Sequence, residues 1–540
     1  MTVHLTATGS ETRATIIALF IILVTTFISF YPCLHGGFVN FDDDRYVYRN
    51  PMIRDLSRQG IATIFTSADY AVIYCPLVFL SYAIEYRFFD LRPYAYHVTN
   101  LILHLCNCLL VFWFIFLLSR SRSTALIVAL LFGVHPLRVE SVAWITERKD
   151  VLYAFFFLGA LVSYHYALIR RSPLWRLSIV FLFLLALLSK PAALVLPLVL
   201  LLCDYLHGAK IDRKNLLKKL PLFSIAVAFL ILGFLTARGY ARTGPAFTVC
   251  DQLFIPPHAL LFYLYKSIVP VRLSCLYPFP VKHGCFLPAV FLVSPLILIL
   301  LGALIARSAR STRKIAFGSL FFLITVLPAL QLFPTGTAIV ADRFTYIPSI
   351  GLSFLLAELI AWLCGRKMKF AAPLAVVAFV GLIVALSVLT RSRCAVWNSN
   401  VALWEDAVRK YPDGYVPLAY FNRGIVYTDL GLHEKAVSDF NRVLMLYYGE
   451  RGMQGDHTET CRTLIATGGG YAEAYNFLAS RYAEIGKTQE AIACLNVSGR
   501  LRGEGGAPLR TAPPRGGHRT LNSFSGQSPL FARIFLQHVG

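Results

Sequence analysis

The sequence predicts an all-α membrane protein: a polytopic bundle of about eleven membrane-spanning helices, followed by a short α-helical solenoid. Hydrophobic residues make up 57% of the 540 residues, charged residues make up 15%, and the mean hydropathy is +0.61. A chain of this composition cannot cover itself with polar surface, so most of it is expected to be solvated by lipid. Two further observations predict the architecture: long apolar runs recur over residues 14–390, and a helical repeat pattern follows them.

The first apolar run, about residues 14–33, is close to the roughly 20 residues that span a bilayer and is longer than the apolar part of most signal peptides. No small-residue cleavage site follows it, so we expect a retained first helix after a cytoplasmic segment, residues 1–13. A run at 255–270 is predicted to be re-entrant or interfacial. The other predicted spans lie near 97–118, 124–137, 151–169, 174–189, 191–206, 219–237, 286–305, 315–333, 346–364 and 370–390.

The formal charge of +22 is distributed as in a polytopic membrane protein, which argues against a nucleic-acid partner. Every second loop is basic, and these loops contain one acid, Asp212. The intervening loops carry the acidic clusters, so the positive-inside rule places the acids on the extracytoplasmic side and the C-terminal region outside. The basic loops contain Arg120 and Arg122; Arg170, Arg171 and Arg176; Lys210, Arg213, Lys214, Lys218 and Lys219; Arg307, Arg310, Arg313 and Lys314; Arg366, Lys367 and Lys369.

Residues 391–496 are predicted to be extracytoplasmic tetratricopeptide repeats, in which paired helices pack small residues against aromatic ones. One repeat has Gly424, Tyr427, Ala436 and Phe440 at the expected offsets, and a second has Ala479, Tyr482, Ala491 and Leu495. Residues 397–412 are predicted to form an amphipathic helix that joins the membrane part to the repeats. Two repeats are fewer than such stacks usually need, so we expect them to pack against the membrane domain or a partner.

The tail, residues 497–540, is rich in Gly, Pro, Ser and Arg and is predicted to be disordered. The twelve cysteines form no pairs with metal-ligand spacing, so the sequence predicts no metal site. A divalent metal is left open but has no support. Soluble nucleotide chemistry is also unsupported, because no phosphate-binding glycine motif occurs in a suitable context.

The first of four polar clusters contains three consecutive aspartates, residues 42–44 in "FVNFDDDRYVYRNP". A positioned carboxylate can take the proton of an attacking hydroxyl, and neighbouring carboxylates raise one another's pKa. The alternative is a solvated loop. The second cluster, "HPLRVESVAWITERKD", binds a charged ligand or forms an internal ion-pair network. Its titratable residues are His135, Arg138, Glu140, Glu147, Arg148, Lys149 and Asp150.

The third and fourth clusters also lie at predicted outer ends of spans. Lys190 in "LLSKPAALVLP" either holds a phosphate or extends its amine to the membrane surface. In "TAIVADRFTYIPSIG", Arg343 is a candidate phosphate ligand, and Tyr346 is a candidate contact for a sugar or an isoprenoid. The alternative for Asp342 and Arg343 is that they cap or anchor the helix that follows them.

Together and in this order, the four motifs followed by repeats resemble the transmembrane-and-tetratricopeptide-repeat family, over residues 15–495 and with a closer likeness to its bacterial members. Eukaryotic members of this family are protein O-mannosyltransferases of the GT-C type. The resemblance implies a membrane glycosyltransferase that moves a sugar from a polyprenyl- or dolichyl-phosphate to a hydroxyl, expected to be Ser or Thr of a protein. It further implies multi-pass insertion in a bacterial inner membrane or, in a eukaryote, in the endoplasmic reticulum.

The resemblance also carries residue roles. The paired acids of the family's first outer loop match Asp42 and Asp43, and we expect one of them to be the general base. Arg343, with Lys190 or Arg148, would stabilise the phosphate, while Glu140 and Asp150 would orient these cations. The remaining family positions match His135 and Asp342. The alternative hypothesis is a non-catalytic membrane scaffold that binds a partner protein through its repeats.

Overall fold

In the computed structural model, helices are the only regular elements of the described residues, which confirms the all-α fold. The structure describes residues 9–501, except 68–72, 211, 237–247, 249, 279, 281, 283–285, 331–338, 366–369, 413, 415, 453–474, 477–478, 481 and 484–487. The predicted basic loop at 366–369 and the predicted tail beyond Leu501 lie outside the described residues. The last helix ends at Leu501, a few residues into the segment predicted to be disordered.

The first six helices are α1 Gly9–Phe30, α2 Arg58–Thr66, α3 Pro76–Phe89, α4 Pro93–Ser119, α5 Arg122–Val134 and α6 Val139–Ala143. The next six are α7 Arg148–Arg170, α8 Pro173–Ser189, α9 Leu196–Leu206, α10 Arg213–Thr236, α11 Ile255–Ile268 and α12 Ala289–Ala309. The remaining ones are α13 Arg313–Val326, α14 Ser349–Cys364, α15 Ala371–Val396, α16 Asn400–Lys410, α17 Pro417–Asp429, α18 His433–Gly452 and α19 Thr488–Leu501.

The starts of several helices follow directly from local sequence. Proline is the first residue of α3, α4, α8 and α17, where its fixed φ fits a helix and its missing N–H is not needed. Ser121 and Ser399 cap α5 and α16, because their hydroxyls accept a hydrogen bond from the N–H three residues later.

The protein is a multi-pass membrane protein. Six described helices are long and apolar enough to cross a bilayer, or seven if the bent pair α5–α6 counts as one span. Three shorter apolar segments, 173–189, 191–206 and 349–364, coincide with other predicted spans. The expected eleven spans therefore correspond to six or seven long helices and several short ones.

The membrane bundle has an inner and an outer set of helices. About half of the residues in the most apolar parts of α4 and α7 are buried, and these helices pack against each other and against α5 and α8. In α12 and α15 only 11% and 6% of the corresponding residues are buried. Apolar surface exposed to this extent is what lipid-facing helices require.

The described residues fall into two compact units, one up to residue 415 and one from Val416 onward. The second unit begins after α16, whereas the boundary predicted from sequence is residue 391. In this unit Gly424 of α17 faces Phe440 of α18, and a Cβ atom at Gly424 would lie 2.7 Å from the Phe440 ring. Phe440 also packs with Ala436, Tyr427 and Ala479, as the repeat pattern predicts.

Candidate active site

Asp43 connects the first predicted outer loop to the segment 135–150 through hydrogen bonds with Thr146. Its side chain is fully buried, and one carboxylate oxygen accepts hydrogen bonds from the Thr146 N–H at 3.0 Å and the Thr146 hydroxyl at 2.5 Å. The other oxygen accepts from the Val39 N–H at 2.8 Å. Burial raises the pKa of Asp43 to about 7, although the three hydrogen bonds oppose the shift. Both oxygens of Asp43 are thus already engaged.

Asp42 has different surroundings from its neighbour. It is partly exposed, and within the part of the chain that the structure describes its carboxylate makes no side-chain hydrogen bond. Burial raises the pKa of Asp42, while the positive charges of Lys149 and Arg343 lower it. Asp42 therefore lies beside two cations with its oxygen atoms available to a ligand.

Glu147 is the centre of a group of ion pairs next to Asp42. Its carboxylate lies 3.3 Å from Lys149 Nζ, 3.4 Å from Lys190 Nζ and 3.4 Å from Arg343 Nε. These cations belong to three segments of the chain that are distant in sequence. The acid–base cluster, as we name it, consists of Asp42, Glu140, Glu147, Lys149, Asp150, Lys190 and Arg343.

Two further carboxylates position the cations of the acid–base cluster. Glu140 pairs with the Arg343 guanidinium and accepts the Arg343 backbone N–H at 2.9 Å. Asp150 accepts from Lys190 Nζ at 2.6 Å and from the Ser141 hydroxyl at 2.9 Å. Four acids face three cations, and most of these side chains are buried. In such surroundings ion pairs are strong but costly to desolvate, so each group needs the partners it has.

Aromatic rings form one wall of the acid–base cluster. Trp144 stacks on Phe41 at 4.6 Å and on Trp397 at 5.5 Å, and the Arg343 guanidinium carbon lies 5.4 Å from the Trp144 ring. Phe344, which is partly exposed, lies 4.9 Å from the same guanidinium and 5.8 Å from Lys190 Nζ. Asp42 and Arg343 are the partly exposed members of the acid–base cluster, and together with Phe344 they mark its accessible side.

Arg148 does not join the acid–base cluster. Its buried guanidinium is held by Glu85 at 2.9 Å, by Asn100 and by the Tyr96 carbonyl at 3.0 Å. It also lies 5.1 Å from the Tyr82 ring. With these partners Arg148 connects α3, α4 and α7 instead of presenting charge to a ligand.

Three other predicted residues also have internal partners. His135 bonds to the Ser267 carbonyl at 3.1 Å and caps the turn that follows it. The Tyr346 hydroxyl, fully buried, bonds to His104 Nδ1 at 2.7 Å and to Asn107 at 3.1 Å. Asp342 accepts a hydrogen bond from the Tyr277 hydroxyl at 2.6 Å. None of these three is in the acid–base cluster.

Glu147 and Lys149 were noted in the second motif, but the family positions gave them no role. Their importance follows from contacts with residues as far away as Arg343, which no local pattern indicates. No group of three or more His, Cys, Asp or Glu side chains in the described ranges is arranged to hold a metal ion.

The chain is similar to known proteins over most of its length. The chain is 24% identical over 449 residues to Protein O-mannosyl-transferase F38B6.6 of Caenorhabditis elegans, which covers 79% of this chain and 62% of that protein. It is 24% identical over 476 residues to Protein O-mannosyl-transferase TMTC1 of Homo sapiens, covering 77% and 53%. The resemblance to this family is confirmed. Residues 418–448 also match a family model described as "Tetratricopeptide repeat".

The chain spans about half to three-fifths of the length of these curated relatives. Protein O-mannosyl-transferase TMTC4 of Mus musculus is 27% identical over 402 residues, covering 63% of this chain and 54% of that protein. These relatives are animal proteins, so they give no support to a closer likeness to bacterial members. No solved structure is significantly similar to the chain.

Proposed function

We propose that the protein is a membrane glycosyltransferase that moves a sugar from a polyprenyl- or dolichyl-phosphate to a Ser or Thr hydroxyl of a protein. The observation that carries this proposal is the acid–base cluster, in which all four sequence motifs meet at a partly exposed carboxylate. The names of the relatives, protein O-mannosyl-transferases, favour mannose as the sugar. In this proposal the repeats bind the acceptor or a partner protein.

Asp42 is the general base in this mechanism, and Asp43 is a positioning residue. A base must reach the proton that it removes. Among the residues that the structure describes, the carboxylate of Asp42 has no side-chain hydrogen-bond partner, whereas the buried carboxylate of Asp43 accepts three hydrogen bonds. Partial burial raises the pKa of Asp42, which makes its carboxylate a stronger base. Asp43 holds the backbone of the loop against Thr146 and so fixes where Asp42 lies.

The bond changes form a single displacement. Asp42 takes the hydroxyl proton, the hydroxyl oxygen attacks the anomeric carbon, and the bond from that carbon to the phosphate oxygen breaks. Lipid phosphate leaves with the electron pair, and the configuration at the sugar is inverted. Arg343 and Lys190 stabilise the charge on the phosphate, since Arg343 is partly exposed and Lys190 Nζ has three N–H groups for the two carboxylates it pairs with, Glu147 and Asp150. Glu140 and Asp150 keep these two cations in place.

The reaction is proposed for the extracytoplasmic face. The acidic loops that form the cluster alternate with basic loops, as expected for the outer side of a membrane. The same topology would result in a bacterial inner membrane and in the endoplasmic reticulum, so the proposal assigns the reaction to a face of the membrane and to no particular organelle.

Mass spectrometry of glycans tests the proposed function. Cells that lack the gene should lose hexose from a set of Ser and Thr residues in secreted and membrane proteins, and the intact gene should restore it. An unchanged glycan pattern in the deleted cells would contradict the proposal.

A further inference from the structure

Asp342 and Arg343 are consecutive, but their side chains enter two different charged groups. Arg343 joins the acid–base cluster, whereas Asp342 accepts a hydrogen bond from Tyr277 at 2.6 Å. Burial raises the pKa of Asp342, while the positive charges of Arg393, Lys266 and Lys410 lower it. We name the second group the Arg393 cluster; it consists of Lys266, Asp342, Arg393, Asp406 and Lys410. The proposed transfer reaction uses none of these residues.

The three cations of the Arg393 cluster come from three helices. Lys266, Arg393 and Lys410 lie in the last turns of α11, α15 and α16, where positive charge is favoured by the helix dipole. The dipole accounts for one cation at each helix end. It does not account for Arg393 and Lys410 pairing with the same carboxylate, Asp406. Nor does it account for Lys266, whose positive charge, like theirs, lowers the pKa of Asp342 against the effect of burial.

Each cation keeps donor capacity after its internal contacts are counted. Arg393 is 6% exposed and pairs with Asp406 through Nη1 at 2.6 Å, while its buried Nη2 has no hydrogen-bond partner in the described part of the chain. Lys266 Nζ donates to the Val271 carbonyl at 2.7 Å. Lys410 Nζ donates to Asp406 at 2.6 Å and to the Leu273 carbonyl. An ammonium has three N–H groups, so both lysines retain at least one when the contacts of the described residues are counted.

The charge balance of the Arg393 cluster is positive. Three cations, Lys266, Arg393 and Lys410, face two carboxylates, Asp342 and Asp406. A buried excess of positive charge with an unpaired guanidinium nitrogen is costly unless a counter-anion is present. The acid–base cluster has the opposite balance, because its three cations already face four carboxylates.

We propose that the Arg393 cluster is a second ligand site, which binds the phosphate group of an anionic ligand between Lys266, Arg393 and Lys410. A phosphate monoester presents three oxygen atoms to donors that converge from different directions, and charge-assisted bonds to guanidinium and ammonium groups are the strong ones. The phosphate belongs to a lipid headgroup or to free phosphate. The site does not depend on the proposed sugar transfer.

Ligand binding to the purified full-length protein tests the site in the absence of any sugar. The probes are geranyl phosphate, inorganic phosphate and, as the uncharged match, geraniol. Lys266→Gln and Lys410→Gln should each weaken binding of a phosphate-bearing probe about tenfold, in line with the loss of one charge-assisted bond. Asp342→Asn should strengthen binding, because it removes a competing negative charge. Lys314→Gln, which removes a lysine of a distant ion pair with Glu358, should leave binding unchanged.

The two phosphate probes distinguish the sources of the ligand. Tighter binding of geranyl phosphate would indicate a lipid headgroup, and equal binding of inorganic phosphate would indicate the free ion; both support the site. The inference is overturned if geraniol binds as tightly as geranyl phosphate, or if neither Lys266→Gln nor Lys410→Gln weakens binding. Loss of binding in Lys190→Gln alone would assign the phosphate to the acid–base cluster and would also overturn it.

Discussion

Two adjacent aspartates differ completely in their surroundings. Asp43 is buried and accepts three hydrogen bonds, and Asp42 is partly exposed beside Lys149 and Arg343. The sequence could indicate that this loop holds the acids, but it could not separate the two. The difference is made by Val39 and Thr146, and Thr146 is 103 residues away from Asp43. The sequence therefore predicts that an acid of this loop acts as the base, but it does not predict which of the two aspartates this is.

The raised pKa of Asp43 makes stability depend on pH. Its pKa is about 7 in the folded protein against 3.8 for the ordinary side chain, so the folded state binds more protons between these values. The contribution of protonated Asp43 to the free energy of unfolding is therefore fully present below about pH 4. It is lost as the pH rises towards 7, by up to about 1.4 kcal/mol per pH unit. We expect the midpoint of thermal unfolding to fall between pH 5 and pH 7, and to fall less in Asp43→Asn.

Asp44→Asn is the matched control for this measurement, because Asp44 is the third aspartate of the same loop. It should retain the pH dependence of the unaltered protein. Equal slopes in Asp43→Asn and Asp44→Asn would show that Asp43 does not titrate in this range.

The positions of most helices were predictable from apolar runs. The predicted span 97–118 is the central part of α4, and 370–390 lies within α15. The segment 135–150 was predicted to be a loop, but it contains the short helix α6, which is bent by 58° from α5 around Pro136. The bend follows from the missing N–H and fixed φ of proline. What no local pattern could give is the contact of Glu140 with Arg343, 203 residues later.

The close packing of α13 and α14 holds the start of α14 next to the candidate site. A Cβ atom at Gly351 would lie 2.3 Å from the Gly318 carbonyl oxygen and 2.9 Å from the Phe322 backbone nitrogen. Small residues allow membrane helices to approach in this way. Gly351→Ala should therefore push the helices apart and cost about 1–3 kcal/mol of stability, measured as a lower thermal unfolding midpoint.

Gly381→Ala provides the control for the packing of α13 and α14. Gly381 lies in α15, and a Cβ atom there has no heavy atom within 4 Å. This substitution should leave the unfolding midpoint nearly unchanged. If the two variants unfold at the same temperature, the close approach of α13 and α14 does not limit the size of the residue at position 351.

At the scale of the whole molecule, charge distribution and structure agree on which ends of the helices lie together. Arg122, in a predicted inner loop, pairs with Glu11 at the start of α1 at 3.3 Å. Arg313 donates to the Tyr205 carbonyl at 3.2 Å and so connects two further basic segments. The alternation of basic and acidic loops was readable from sequence because it depends only on composition. The number of spans could not be predicted in this way, because the length of an apolar run does not show whether a short or bent helix crosses the membrane.

Accessibility of introduced cysteines tests the orientation. Arg45 and Arg171 are both exposed, the first in the loop of Asp42 and the second in a basic loop. In a background without reactive cysteines, a membrane-impermeant thiol reagent should label Arg45→Cys in intact cells, or from the lumen in sealed microsomes. Arg171→Cys should be labelled there only after permeabilisation. The reverse pattern would place the acid–base cluster on the cytoplasmic face.

Asp42 is the residue proposed to remove the proton of the acceptor hydroxyl. The most direct test is to restore the gene in deleted cells as Asp42→Asn or as Asp44→Asn and to measure hexose on Ser and Thr. Both proteins should reach the membrane in normal amounts, Asp44→Asn should restore the glycans, and Asp42→Asn should leave them at least a hundredfold lower, as expected when a general base is lost. Normal glycans with a folded Asp42→Asn protein would show that Asp42 is not the general base.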